Sequence, residues 1–545
     1  MTEKTTPNEY KKLLAELNRL SRQSNFLESL FLLIQQNNRY TFAELDRINT
    51  RTTLNQNELT FLFGLWLKNK DKDEDPELKV EELAELVHKT LDDIHVALMQ
   101  NVNPFEYSNI AEAYSQNPEM VKETIFYSGT GSYDTQLIDH LVDKYKHDEN
   151  WLKAKYGFSI QDLIDFYTVL RMTIDLRANL PVQNEHGHPN YLCISNYYFE
   201  KNPKLLEVSK AFSIQDSSHY NASLSDIGDM NEFRFNPIWQ EDSQLVVPLA
   251  FTLAEAIYDG PFYWMLQDDS YRDKALKHRG IAAEEMTFKL LRKVFNTEEV
   301  YLGVEVKLSK GNTLTDLDVC VIHRDTMIIF QVKSKRLTQL ARQGDIETYE
   351  RDFHKAVGLA HEQAILPIPY ILDGSAKVFN SNQQLVDIGN IKKVATVCVV
   401  LDPYPSIAIH TMLHFHNQEV RPIAMSMYDL EIIVTYLNTP DELIRFFIER
   451  TEFGHQYHSD TETSYLGFFL REGGFVKRKE NEKVMLDGSL AKQFDKEFFT
   501  KSYQSYQRRL AKLASGVGRN NRCICMSGKK YKNCCLRYTQ VSASS

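Results

Sequence analysis

Asp318, Gln331 and Lys333 fall in the run NTLTDLDVCVIHRDTMIIFQVKSK, where two apolar stretches, VCVI and MIIF, flank the polar Arg324-Asp325-Thr326. A short polar connection between two apolar runs predicts an antiparallel hairpin, which brings the end of its second strand back beside the start of its first. Asp318, entering the first strand, is therefore expected next to Gln331 and Lys333, leaving the second. Side chains alternate along a strand, so Gln331 and Lys333 share one face and Val332 takes the other; Asp316 and Asp318 share a face for the same reason. A carboxylate, an amide oxygen and an ammonium at one sheet end suit a hard cation such as magnesium, or manganese in its place, with the ammonium stabilising charge or handling a proton. A second group lies near the end of the chain. Cys523, Cys525, Cys534 and Cys535 have the spacing C-x-C-x8-C-C. Without a secretory signature they read as four thiolate ligands of one tetrahedral zinc, with Ser527-Gly528 supplying the turn between the two pairs. His186 and His188 have metal-like spacing too, but their polar loop offers no further ligand, and they read as a surface pair.

The elements around Asp318 run in a characteristic order: a helix carrying Glu284, a strand, the Asp318 strand, a strand ending in Gln331-Val332-Lys333, a helix and a further strand. This order resembles the PD-(D/E)xK, or restriction-endonuclease-like, nuclease superfamily, and Gln-x-Lys is similar to its Mrr-type branch. Gly280-Ile281-Ala282-Ala283-Glu284 resembles the Gly-x-x-x-Glu start of that fold's first core helix. The resemblance spans roughly Arg279 to Leu401 and departs from the usual pattern in having Gln331 for glutamate and no proline before the aspartate. It implies that Asp318, Gln331 and Glu284 bind magnesium, Gln331 as a neutral ligand, and that Lys333 orients the attacking water or stabilises charge growing on the phosphate. Together Glu284, Asp318, Gln331 and Lys333 would be the catalytic set of a phosphodiester hydrolase acting on DNA or RNA, and the resemblance extends the expectation to defence against foreign nucleic acid. The competing expectation is an inactive nuclease fold that serves as an adaptor and recruits a protein or chaperone through its zinc motif. The cysteine run, with its Ser-Gly-Lys-Lys-Tyr-Lys insert, resembles the SEC-C motif, a small docking module.

The positioning elements follow from periodicity. The expected class is α+β and multidomain: a helical region over 1–180, an irregular mixed region over 181–260, a restriction-endonuclease-like α/β core with its helical extension over 261–455, a linker or helical segment over 456–505, and a basic tail with the zinc motif over 506–545. Leu13, Leu14, Leu17 and Leu20 recur at helical spacing, as do apolar residues in 80–99 and 160–176. FRFNPIWQEDSQLVVPLA predicts a strand pair turning at Glu241 and Asp242. In the core the pattern predicts helices over 279–295 and 345–365, strands over 300–308, 316–323, 327–334 and 394–401, and later helices over 429–437 and 439–450. Tyr349, Phe353, Ala356 and Ala360 form an apolar stripe that leaves Arg351, Lys355 and Gln363 for solvent or phosphate.

A chain of 545 residues has room for two to four such domains, and 43% hydrophobic with 25% charged residues is ordinary for a folded soluble protein. The polar start MTEKTTPNEYKK predicts no signal or transit peptide, and no apolar run approaches the length of a membrane span. The expected setting is the cytoplasm, without membrane partners. Cys193, Cys320 and Cys398 sit singly among apolar residues and are expected to be buried thiols. The net charge of -11 is unevenly spread. Residues 71–93 carry ten acids against three bases, whereas Arg508, Arg509, Lys512, Arg519, Arg522, Lys529, Lys530, Lys532 and Arg537 follow Ser502 with no acid among them. Local potential steers a polyanion, so the tail is expected to meet nucleic acid or a protein partner, with the helical N-terminal region as a second partner-binding part.

Overall fold

The structure, a computed structural model, describes residues 7–37, 53–72, 74–99, 119–129, 131–177, 189, 192–195, 199, 201–214, 220–308, 312–415, 418, 420–479, 482–524, 529–534 and 536. His186 and His188 lie outside the described residues. The chain divides into two compact units, one formed by Met1–Asn101, Tyr133–Ala275 and Lys496–Ser545, the other by Val102–Ser132 and Leu276–Asp495.

The first unit is mainly helical, as the spacing of its leucines predicts. Helix Pro7–Leu20 buries Tyr10, Leu14, Leu17 and Leu20, a stripe recurring at three and four residues. Further helices of the unit include Gln56–Asn69, Val80–Met99, Ile160–Arg177 and Ala250–Leu266. The expected strand pair is present: Trp239–Glu241 runs antiparallel to Gln244–Val246, with Asp242 in the turn at a φ of 50°, and Cys193–Ser195 adds a third strand. Within Gln56–Asn69, Asn231 packs so close to Gly64 that a Cβ there would lie 2.5 Å from its amide. Asn231 is held in place: its Nδ2 donates to the Thr60 carbonyl at 2.8 Å, and its Oδ1 accepts from Asn221 at 3.0 Å and from the Phe233 N–H at 3.1 Å.

The second unit is built on a seven-stranded mixed sheet. Its strands are β1 (Val300–Lys307), β2 (Thr313–His323), β3 (Thr326–Lys333), β4 (Lys377–Phe379), β5 (Leu385–Val386), β6 (Lys393–Val400) and β7 (Ile423–Ser426). Their spatial order is β7-β6-β3-β2-β1-β4-β5. The β2–β3 hairpin pairs His323 with Thr326 across a two-residue turn, Arg324 taking a φ of 55°, and its ladder runs to Val319 opposite Phe330. β3 then pairs parallel to β6, with Gln331 opposite Cys398 and Lys333 opposite Val400. A parallel neighbour needs a long crossover. Part of it is helical: α2 (Ile346–Phe353), a π turn (His354–Gly358) and α3 (Leu359–Ile365).

The helix expected over 345–365 is thus present with a π turn inside it. The stripe holds: Tyr349, Phe353, Ala356 and Ala360 are buried with Cys398 and Val400 of β6 in one apolar cluster, while Arg351 and Lys355 are exposed. A helix upstream of the sheet, α1 (Arg272–Leu291), buries Ala275, Arg279, Ala282, Ala283, Met286 and Leu290. It starts eight residues before Gly280, so the Gly280–Glu284 segment lies in mid-helix and does not begin it as expected. Cys193, Cys320 and Cys398 are buried, and burial pushes the Cys398 thiol up to about 12. Among the described residues no helix is long and apolar enough to cross a membrane.

Candidate active site

The site forms where the β2–β3 ladder stops. Past Val319 and Phe330 the two strands no longer exchange rungs, and side chains take over. The carboxylate Oδ2 of Asp318 accepts the Val332 N–H at 2.7 Å, bridging the two strand ends. Lys333 Nζ lies 4.0 Å from the same oxygen, and the two side chains are 27% and 17% exposed, so both reach the surface. The hairpin geometry expected from the apolar pattern therefore brings Asp318, Gln331 and Lys333 together.

Gln331 is fully buried, and its amide meets backbone. Its Oε1 accepts from the Asp318 N–H at 3.3 Å and its Nε2 donates to the Asp316 carbonyl at 3.0 Å. Asp316, expected on the same face as Asp318, contributes this carbonyl oxygen; its side chain is exposed. A residue that sequence reasoning assigned to solvent or phosphate joins the group here. Gln363 of α3 donates from Nε2 to the same Asp316 carbonyl at 2.8 Å and accepts from Lys333 Nζ at 3.4 Å. Its partners are a backbone oxygen and a side chain thirty residues away, and nothing in the local pattern HEQAIL announces either.

Glu284 arrives from α1. Partial burial, the nearby Asp318 charge and neighbouring Glu285 push its carboxyl up to about 7 against the pull of Lys333. Asp318 is raised as well, chiefly by burial, with the Val332 N–H and Lys333 opposing and Asp316 adding to the shift. Glu284 thus feels both Asp318 and Lys333.

A buried ion cluster ties α1 to the exit of β3. Arg279 Nη2 donates to Asp402 Oδ2, its Nε donates to the Ser334 carbonyl at 3.2 Å, and Arg336 Nε reaches the same Asp402 oxygen at 2.6 Å. The helix carrying Glu284 and the residues just after Lys333 are thereby held in fixed relation.

The carboxyls of Glu284 and Asp318, both raised by burial, thus lie near a single ammonium, Lys333. Among the described residues no three His, Cys, Asp or Glu side chains converge as a metal cage. Magnesium does not need one, since it is commonly held by one or two carboxylates, water and substrate phosphate.

The cysteine segment belongs to the first unit. Arg522 and Lys530 form an antiparallel bridge, the Cys523 N–H donates to the Lys529 carbonyl at 2.9 Å, and a 3-10 turn over Tyr531–Asn533 leads to Cys534. Cys523 and Tyr531 are buried. Cys525, Ser527, Gly528 and Cys535 lie outside the described residues.

A family model of the SEC-C motif matches residues 519–537, the segment that holds all four cysteines. No curated protein and no solved structure matched the chain.

Proposed function

We propose that the chain is a metal-dependent nuclease that hydrolyses phosphodiester bonds of DNA or RNA. The observation that carries this reading is the meeting of Asp318 and Lys333, from β2 and β3, at one partly exposed sheet end, with the Glu284 carboxyl of α1 near enough to feel both charges. Phosphodiester hydrolysis asks mainly for positioning and for cancellation of charge on the phosphate. Asp318 and Glu284 would hold magnesium or manganese, which when bound neutralises phosphate charge and lowers the pKa of a bound water. Lys333 brings a fixed ammonium to the phosphate oxygens, and Asp318 is oriented for its part by the Val332 N–H. The cysteine segment would carry zinc and dock the enzyme on nucleic acid or a protein, which the exposed Arg519, Arg522, Lys529, Lys530 and Lys532 suit. Thiolates holding zinc need a reducing setting, so the cytoplasm is part of the same reading.

The test is cleavage of single- and double-stranded DNA and RNA by the full chain with magnesium and with a chelator. Lys333→Ala and Asp318→Ala should each lower metal-dependent cleavage by about a hundredfold while the far-ultraviolet spectrum stays that of the parent. Near-parental cleavage by either folded variant sinks the assignment.

A further inference from the structure

The Asp316 carbonyl receives two side-chain amides, Gln331 Nε2 from β3 at 3.0 Å and Gln363 Nε2 from α3 at 2.8 Å. A carbonyl oxygen offers two lone pairs and the Thr315 hydroxyl also reaches this one at 3.3 Å, so this acceptor is saturated. The oxygen end of each amide is engaged as well, Gln331 with the Asp318 N–H at 3.3 Å and Gln363 with Lys333 Nζ at 3.4 Å. The Gln331 amide therefore spans two backbone groups of β2 just beyond the last rung of the β2–β3 ladder, doing with a side chain what the next rung would have done. Gln363 links the ammonium of Lys333 to the same carbonyl.

We infer that Gln331 and Gln363 are positioning residues: Gln331 fixes the backbone that carries Asp318 and is not itself a metal ligand, and Gln363 fixes Lys333 against the same strand end. The catalytic consequence rests on the nuclease reading; the lock itself does not. A neutral amide suits this place because it offers a donor and an acceptor together. Glutamate at 331 would keep an acceptor for the Asp318 N–H, but would set a negative oxygen against the Asp316 carbonyl and beside the Asp318 carboxylate, in a fully buried position.

Three measurements on the full chain test this. Titration calorimetry with Mn2+ alone should show no tighter binding in Gln331→Glu than in the parent. A ligand position would gain affinity from the added charge, so about tenfold tighter binding with cleavage retained overturns the assignment. On the oligonucleotide that the parent cleaves, Gln363→Met and Gln331→Met, which remove the amides at similar volume, should each lose about tenfold or more in kcat with KM within about threefold. A change confined to KM rejects the positioning role. The third measurement needs no activity. Hydrogen exchange at the Asp318 amide should speed by about tenfold or more in Gln331→Met, with Val321 and Ile322 unchanged, because only the former loses its acceptor. Equal exchange in the two chains overturns the lock. A parent chain that binds no Mn2+ and cleaves nothing removes the nuclease reading, and the exchange result still decides whether Gln331 holds the strand end.

Discussion

Buried carboxylates in this protein fall into those with a partner cation and those without. Glu462 faces the buried Arg450 at 2.7 Å, and Asp402 takes both Arg279 and Arg336. Asp318 meets Lys333 only at 4.0 Å, and under the proposed nuclease reading a metal ion would supply the further positive charge. Glu58 is a buried carboxylate of a different kind. It closes a capping box, its Oε2 accepting the Asn55 N–H at 2.7 Å while the Asn55 side chain accepts the Glu58 N–H. Burial pushes its carboxyl up to about 7, with the Asn55 bond and His95 opposing and Asp92 adding to the rise. The folded chain therefore keeps this proton to higher pH than the unfolded chain does, so stability falls as pH rises from 4.5 towards 7 and is level above. Glu58→Gln keeps the capping acceptor without the charge. It should raise stability at pH 8 by up to about 3 kcal/mol and flatten that fall, as read by denaturant unfolding at pH 5 and pH 8. A gain as large at pH 4 as at pH 8 rejects the cause given. At this scale the sequence carries one part of the candidate site well and another not at all. Asp318, Gln331 and Lys333 could be placed together because strand alternation and a short turn fix their neighbours. The work of the two glutamine amides could not, because their partners are mainly backbone atoms, whose positions no residue type announces.

Elements were legible in proportion to the length and regularity of their apolar pattern. β1, β2, β3 and β6 each run for eight residues or more with long apolar stretches, and they were expected within three residues of where they lie. β4 and β5, of three and two residues, are too short to show a period, and β7, with four consecutive buried residues, has no polar face to mark it. The π turn within the α2–α3 crossover was also hidden, since one extra residue in a turn leaves no compositional sign. Glycines mark two helices in opposite ways. Gly280 lies inside α1 at a spot where a Cβ would meet nothing within 4 Å, so Gly280→Ala should stabilise the chain by about 0.5–1 kcal/mol through helix propensity. Gly64 lies inside Gln56–Asn69 against the locked Asn231. There the same substitution must break the hydrogen bonds of Asn231 or displace the helix, and it should cost about 1–3 kcal/mol in spite of the propensity gain. Chemical unfolding of both variants checks the pair. Destabilisation by Gly280→Ala would show that something beside α1 needs the bare backbone, and a stable Gly64→Ala would show that Asn231 is free to yield.

Across the whole molecule, charge is segregated along the chain and not merely negative. The last helix, Ser489–Leu513, is anchored in the first unit over its second half: Ser502 bonds Thr135, Tyr506 packs tilted against Tyr167 with ring centroids 5.7 Å apart, Arg509 pairs with Asp139, and Leu510 and Ala514 are buried. The matched motif begins only at residue 519, so a chain ending at Gly518 keeps every one of these anchors. Zinc held by Cys523, Cys525, Cys534 and Cys535 should contribute on the order of 10 kcal/mol to folding of the small segment itself, the scale seen for structural zinc in short peptides. The truncated chain should therefore lose one zinc per chain and keep its metal-dependent cleavage within about twofold, because Glu284, Asp318 and Lys333 all belong to the other unit. Binding is where the loss should appear. Lys529, Lys530 and Lys532 are exposed, and replacing all three by alanine in the full chain should lower the slope of log affinity against log salt by about 2–3, since each phosphate neutralised releases just under one counterion. Metal analysis of the intact chain and nucleic-acid binding over a salt series decide between the partners. An intact zinc site with an unchanged slope assigns the segment to a protein partner, and a zinc content well below one per chain removes the four-thiolate site.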